Sequence, residues 1–250
     1  MSLDAHDIAL VRADNPGPFT LTGTNTYVVG RDPAWIVDPG PDLAEHVDAV
    51  VAEADARGGA GGIVLTHDHH DHSDAVAAVA ARTGAELLAT GLSDGDRVGP
   101  FAVVEAPGHA PDHLVYVAGP VAFTGDAVLG EGSVFVIGQL AAYLDALRRL
   151  RGMELIALAP GHGPVVDDPD AKLDEYVTHR LEREQHLVEA LDDGVRSIDD
   201  LLDRVWADAP DVLRLAAAVT LGAHLDKLAD EGRLPDGVER PKLPEGLRAP

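Results

Sequence analysis

Residues 67–72 read His67-Asp68-His69-His70-Asp71-His72, four imidazoles and two carboxylates in six consecutive positions, and few folds can carry such a run. The apolar stretch Ile63 to Leu65 precedes it and a helical pattern, Ser73 to Arg82, follows, which places the run on a strand-to-helix loop. Ser73 is expected to cap that helix, Asp74 to complement its positive end and Gly84 to stop it. Alternate residues of an extended loop share a face, so His67, His69 and Asp71 project together, while His72 turns away as the helix begins. That array suits two adjacent cations better than one. A loose metal-scavenging tract needs neither the strand nor the helix. His70, between the ligand positions, is expected at the surface or behind them.

The chain has 250 residues and no cysteine, which removes disulfides, thiolate zinc ligands, iron–sulfur clusters and cysteine nucleophiles together. Any metal must then be held by histidine and carboxylate. With 46% apolar and 25% charged residues, the composition is that of a globular protein with one good core and room for an appendage. The formal charge of −24 repels a phosphate backbone at long range and weakens a nucleic-acid reading. Residues 195–250 hold 8 basic and 11 acidic residues, net −3, so most of the acid precedes them. Met1 to Leu10 has no basic region leading into an apolar run, and no uncharged apolar stretch approaches the ~18 residues of a membrane span. A cytoplasmic protein with no membrane partner is expected.

Short β-rich runs recur at Thr24 to Val29, Ala34 to Val37, Ile63 to Thr66, Ala102 to Glu105, Leu114 to Val117, Val121 to Thr124 and Leu155 to Ala159. Helical patterns fall at Leu43 to Arg57, Ser73 to Arg82 and Leu140 to Leu150. This alternation predicts an α/β domain of mixed sheets covered by helices. On the last of these helices, Arg148, Arg149 and Arg151 read as a solvated face that favours the dipole. From about Asp170 strand signals cease: Lys172 to Leu191, Ile198 to Trp206 and Asp211 to Asp230 are helical, and the turn at Glu231-Gly232-Arg233 suggests a closing hairpin. The predicted organisation is a catalytic domain over 1–170, a connecting helix over 171–194, a winged-helix-like domain over 195–240 and an extended tail over 241–250.

Further polar residues stand in glycine-bearing loops at later strand ends: His109 in Pro107-Gly108-His109, Asp126 after Gly125, and His162 in Pro160-Gly161-His162-Gly163. Binding residues collect in such loops, and the repetition points to one shared site. Taken in order, Asp38, His67-x-His69-x-Asp71-His72, His109, Asp126 and His162 resemble the five motifs of the metallo-β-lactamase-fold hydrolases over roughly residues 20–165. The flanking text, including Gly23-Thr24-Asn25-Thr26-Tyr27 and Tyr176-Val177-Thr178-His179-Arg180, resembles the β-lactamase-like-protein-2 branch, which carries a winged-helix-like C-terminal domain and has glyoxalase-II-type relatives.

The resemblance implies an α/β (α+β) fold, a four-layer αββα sandwich with the site at one edge of its two sheets. It also implies two divalent ions, one on His67, His69 and His109, the other on Asp71, His72 and His162, with Asp126 bridging. Zinc is the expected metal, iron and manganese the alternatives. Two ions ~3.5–4 Å apart share a water and lower its pKa from ~15.7 towards 7, giving a metal-bridging hydroxide. Asp71 and Asp126 are the candidate catalytic carboxylates. Asp38 is expected to brace the histidine loop, His113 to support the site or the leaving group, and His179 and Arg180 to reach the substrate or lie on a solvated helix.

An aspartate, Asp126, stands where the commonest zinc β-lactamases carry cysteine, which argues against antibiotic hydrolysis. The expected function is hydrolysis of a small acyl thioester or related ester, glyoxalase-II-like. The alternative is an endoribonuclease acting on single-stranded RNA, as in the best-studied member of the branch. A third class, a winged-helix regulator on DNA, fits poorly with the appendage's net −3.

Overall fold

The computed structural model describes residues 3–88 and 91–242, so part of the expected tail, 243–250, lies outside the described residues. Two mixed sheets dominate. The first runs in the order β1 (Ile8–Arg12), β2 (Asn25–Val29), β3 (Ala34–Val37), β4 (Ala60–Val64). The second runs β5 (Arg97–Val98), β6 (Phe101–Glu105), β7 (Leu114–Ala118), β8 (Val121–Gly125), β9 (Ala157–Pro160). Each is antiparallel until its last pair, β3–β4 in one and β8–β9 in the other, which is parallel.

Strands β2, β3, β8 and β9 are buried on both faces, and their period-2 alternation sorts side chains between layers. Tyr27, Val29, Val37 and Val64 meet Phe101, Val103, Tyr116, Phe123 and Ala159 between the sheets. Their neighbours Val28, Ile36 and Ile63 face outward onto Val47, Val50 and Ala54 of α1 (Ala44–Ala56) and Val79 of α3 (Val76–Thr83). Val104, Val115, Ala122 and Leu158 face the other way, onto Tyr143, Leu144 and Leu147 of α4 (Leu140–Arg151) and Leu173 and Tyr176 of α5 (Pro169–Asp192). Three apolar seams between four layers make the αββα sandwich.

The 24-residue helix α5 starts where Asp168 accepts a hydrogen bond from the Ala171 N–H (3.0 Å) and Pro169 occupies its first turn. Its first half packs on the sandwich. Its second half supplies Leu187, Ala190 and Leu191 to another core, shared with Leu201, Leu202, Val205 and Trp206 of or beside α6 (Ile198–Val205) and Leu221, Leu225 and Leu228 of α7 (Arg214–Asp230). One helix thereby couples both cores. The Thr220 hydroxyl of α7 also accepts from the Val136 N–H (3.1 Å), tying the C-terminal helices to a sandwich loop.

Several expectations need correction. Ser73 caps nothing: it ends the short helical turn α2 (His70–Ser73), and its hydroxyl donates to the His69 carbonyl (3.1 Å), while Ala75 stands before α3. Gly84 does close α3 in the left-handed region, φ 75°. The strand before the histidine run begins at Ala60 rather than Ile63, because Gly61 and Gly62 belong to it. Both accept the Trp35 ring from the neighbouring strand, and a Cβ on Gly62 would lie 2.5 Å from that ring. The closing hairpin is not formed: among the described residues no strand follows Pro160, and the segment beyond α7 packs Leu234 and Val238 on the C-terminal core, with the Glu239 N–H donating to Arg196 O (2.9 Å). Among the described residues no helix is long and apolar enough to cross a membrane.

Candidate metal centre

The topology gathers the polar loops at one edge. Because β3 and β4 are parallel, Asp38 and the histidine run leave them in the same direction. The second sheet repeats this with Asp126 after β8 and His162 after β9, while antiparallel β6 and β7 place His109 and His113 at that same end. Two backbone hydrogen bonds join the sheets there, Leu114 N–H to Thr66 O (2.7 Å) and Asn25 N–H to Gly161 O (2.8 Å).

Seven side chains converge. His67 Nε2 and His109 Nε2 lie 2.9 and 3.0 Å from His69 Nδ1. His162 Nε2 lies 3.2 Å from His72 Nε2 and 3.1 Å from Asp71 Oδ2. Asp126 stands between these groups: Oδ1 is 3.5 Å from His72 Nε2 and 3.4 Å from His162 Nε2, and Oδ2 is 3.5 Å from His109 Nε2. The ligand atoms of His67, His69 and His109, of Asp71, His72 and His162, and of His67, His72 and Asp126 each fall within 4.8 Å of one another. His72 therefore turns into the site, beside Asp71. His70 does not: its side chain is exposed and pairs with Asp74 (3.0 Å).

The outer ring nitrogens explain why the inner ones are free. His72 Nδ1 faces Asp38 Oδ2 (2.9 Å), His67 Nδ1 faces Thr66 Oγ1 (3.0 Å), His109 Nδ1 faces Phe135 O (3.4 Å) and His162 Nδ1 faces Gly23 O (3.4 Å). A carboxylate or carbonyl can only accept, so those at His72, His109 and His162 hold the ring proton outside and leave the Nε2 lone pair pointing inward. Asp38, held at φ 50°, also accepts from the Thr66 N–H (2.7 Å) and hydroxyl (2.8 Å), bracing the histidine loop as expected from the sequence. His113 does not face the cavity of the site; its Nε2 accepts from the Asp126 N–H (3.1 Å), and its ring stacks on His67 at 4.9 Å. Gly161 is required by proximity, since a Cβ there would lie 2.7 Å from Asp126 Oδ1.

This donor set fits divalent metal. Two lone pairs directed at His69 Nδ1 cannot both be satisfied by a single proton, and Asp126 Oδ1 is buried without a hydrogen-bond partner. Burial, reinforced by neighbouring imidazoles, pushes His67 and His113 well below the usual histidine range; burial also lowers His69 and takes His109 to about 4. Those rings are neutral at pH 7, the form a ligand needs. Burial opposes charge at His162 and His72 as well, but the carboxylates of Asp126 and Asp71 outweigh it at His162, raising it to about 10, and those of Asp126 and Asp38 raise His72. Asp126 is correspondingly held well below the carboxylate range: burial opposes its charge, and the imidazoles around it win. Without a cation the site draws in protons; a divalent metal supplies the same positive charge.

The centre opens on a cavity of about 680 Å³ that reaches the C-terminal helices. His179 lines it, half-buried, with Nδ1 unpartnered and Nε2 3.4 Å from Arg183 Nε. Arg180, also lining it, is committed elsewhere: its guanidinium donates to Val134 O and to Ser133 Oγ (3.1 Å). Three contributors escaped the sequence reading. Arg183 donates to Val205 O and pairs with Asp208 (2.6 Å). Asn25 donates through Nδ2 to Pro160 O and Gly163 O (both 2.9 Å), pinning the loop of His162; the sequence marked it only as part of the segment Gly23 to Tyr27, with no role for its side chain. His46 lies 3.0 Å from both Thr26 Oγ1 and Pro39 O, behind Asp38.

Residues 197–236 match the β-lactamase associated winged helix domain. The chain is 31% identical over 252 residues to a Caenorhabditis elegans β-lactamase-like protein 2 homologue, covering 90% of this chain and 85% of that one. It is also 31% identical over 269 residues to an atrochrysone carboxyl ACP thioesterase of Aspergillus chevalieri, covering 93% and 85%. A β-lactamase domain protein from Burkholderia ambifaria has the same fold, with TM-score 0.77, 20% identity and coverage of 92% of this chain and 90% of that one. The relatives and the fold together make the chain a metallo-β-lactamase-fold hydrolase, and its His/Asp clusters are the donors that fold offers to divalent metal ions. Within that class the chain belongs to the family of the β-lactamase-like protein 2 homologues.

Proposed function

We infer that this protein hydrolyses acyl thioesters at a two-metal centre. The observation that carries this reading is the charge arrangement around the cavity: the carboxylates and imidazoles form two metal clusters, yet both arginines on the wall are already engaged by protein groups. Arg180 is buried, with Nη2 spent on a carbonyl and a hydroxyl and Nε enclosed without a partner, and Arg183 is held by a carbonyl and Asp208, so neither presents an open fork to a phosphate backbone. The thioesterase among the relatives points the same way.

In this reading His67, His69 and His109 would hold one metal and Asp71, His72 and His162 the other, with Asp126, which lies beside both groups, as a ligand available to each. Zinc suits a His-plus-carboxylate set, and iron or manganese are accepted by the same donors. Divalent metals bound there supply a Lewis acid for the thioester carbonyl and acidify the attacking water. Asp38, through His72 and Thr66, fixes the histidine loop, and His113 fixes Asp126 by its backbone N–H. Asp71, more exposed than Asp126, is the carboxylate placed to take the proton of the incoming water at an oxygen. A thiol leaving group, pKa about 8.5, departs as thiolate and needs no buried acid. The catalytic unit spans 1–170, with 171–194 linking it to 195–240, and the protein acts in the cytoplasm.

Cleavage of single-stranded RNA is the second reading, favoured by the winged-helix domain beside the cavity. One panel separates them: metal-loaded protein is assayed on S-lactoylglutathione, simple acyl thioesters and a fluorescent single-stranded RNA, each with an Asp126→Ala control. Thioester turnover that vanishes in the control is expected. Asp126-dependent RNA cleavage without thioester turnover would sink the thioesterase reading.

A further inference from the structure

We propose that the winged-helix domain is the specificity half of the active site, and that the cavity between it and the metal centre binds the apolar chain of an acyl substrate. The proposal rests on the thioester reading above and names its substrate class.

The chain has four phenylalanines. Phe101 and Phe123 are fully buried between the sheets, whereas Phe19 and Phe135 meet edge to face, ring centroids 6.0 Å apart, on the sandwich side of the cavity. Phe135 continues inward to the His109 ring at 4.9 Å, so this apolar wall runs up to a metal-ligand candidate. Across from it the C-terminal domain contributes Trp206, Leu213 and Leu215. Phe19 and Leu215 are each 57% exposed, large apolar side chains left wet on opposite walls of one concavity. A volume of about 680 Å³ lies in the range of small-molecule sites, and apolar side chains dominate the exposed lining, with the metal-centre residues at one end and polar groups such as Glu131, His179 and Asp208 interspersed along the walls.

The alternative occupant, a nucleic-acid strand, would need free cations along its backbone as well as rings to stack on; Phe19 offers a ring, but the lining arginines are buried or held by protein groups. Trp206 is the aromatic residue of this domain on the cavity, and one of its faces is taken by Arg183, 5.7 Å from the ring centre and itself paired with Asp208. An acyl chain needs neither. Its carbonyl carbon would lie at Asp71 and Asp126 and its hydrocarbon between Phe135 and Leu215; hydrolysis breaks the carbon–sulfur bond, with water supplying the carboxylate oxygen and the thiol departing.

Trp206 is one of two tryptophans, which makes it the reporter. In the full-length, metal-loaded Trp35→Phe protein its emission is followed while S-decyl-N-acetylcysteamine, a thioether that cannot be hydrolysed, is added, with the S-ethyl compound for comparison. A saturable response is expected, at least about tenfold tighter for decyl than for ethyl, because each buried methylene contributes up to roughly fourfold. In parallel, kcat/KM for acetyl, hexanoyl and decanoyl thioesters of N-acetylcysteamine should rise with chain length. Leu215→Asp and Phe19→Ala, both at exposed positions, should each weaken the decyl probe several-fold. Equal response to ethyl and decyl, unchanged affinity in both variants, or a tighter response to a single-stranded oligoribonucleotide overturns the proposal. Decyl binding in a protein that hydrolyses no thioester would support the apolar site while overturning the thioesterase reading, so the two fail separately.

Discussion

The two walls of the cavity are built by opposite rules. On the sandwich side the metal-ligand candidates are buried or half-buried, and four of them are aimed by a second group: Asp38 at His72, Phe135 O at His109, Gly23 O at His162, His113 at Asp126. On the C-terminal side Trp206, Leu213 and Leu215 present shape and apolar area, and Arg183 is tied up in holding the segment of Val205 and Asp208. Chemistry thus demands oriented lone pairs, which tolerate little change, whereas recognition of an apolar chain demands only complementary volume. Mutations on the first wall should abolish turnover, and mutations on the second should redistribute substrate preference.

Asp126→Ala tests the first half of that contrast hardest, because it removes the carboxylate that lies beside His72, His109 and His162 at once. Thioester kcat/KM is expected to fall by about 10³-fold or more, while circular dichroism shows the sandwich retained. Asp38→Asn keeps the shape of the brace but removes its charge, and metal affinity measured by competition with a chelator should drop about 10–100-fold. Asn25→Ala leaves the carbonyls of Pro160 and Gly163 without their donor inside the protein, so denaturant unfolding should show about 1–2 kcal/mol lost. Val212, 71% exposed and outside the cavity lining, sets the floor: Val212→Ser should change stability by less than about 0.5 kcal/mol and leave the chain-length preference alone. A Val212 effect as large as that of Asn25 would erase the distinction between oriented and permissive regions.

The same contrast decides what could be read from the sequence. The candidate ligands were legible because His67, His69, Asp71, His72, His109, Asp126 and His162, like the bracing Asp38, are chemically distinctive and sit in loops at strand ends. Strands with alternating or continuous apolar runs were legible too; Ile8–Arg12 and Arg97–Val98 were not, since one is a half-buried edge strand and the other only two residues long. Ser73 misled because a hydroxyl before a helix reads as a cap, whereas the turn at His70–Ser73 shifts the true start to Val76 and turns that hydroxyl back onto His69. The apolar wall was invisible: Phe19, Phe135 and Leu215 are far apart in sequence and look ordinary until the fold brings them around one cavity. Arg180 read as a substrate contact, because its fork suits carboxylates and phosphates, or as part of a solvated helix face; its guanidinium is instead buried on the loop of Ser133 and Val134.

The most direct test counts metal. After loading with zinc, iron or manganese and exhaustive dialysis, elemental analysis of the wild-type protein should find close to two divalent ions per chain, and Asp126→Ala should retain markedly fewer. One ion per chain in the wild type, or two retained in the variant, would contradict a two-metal centre bridged by Asp126.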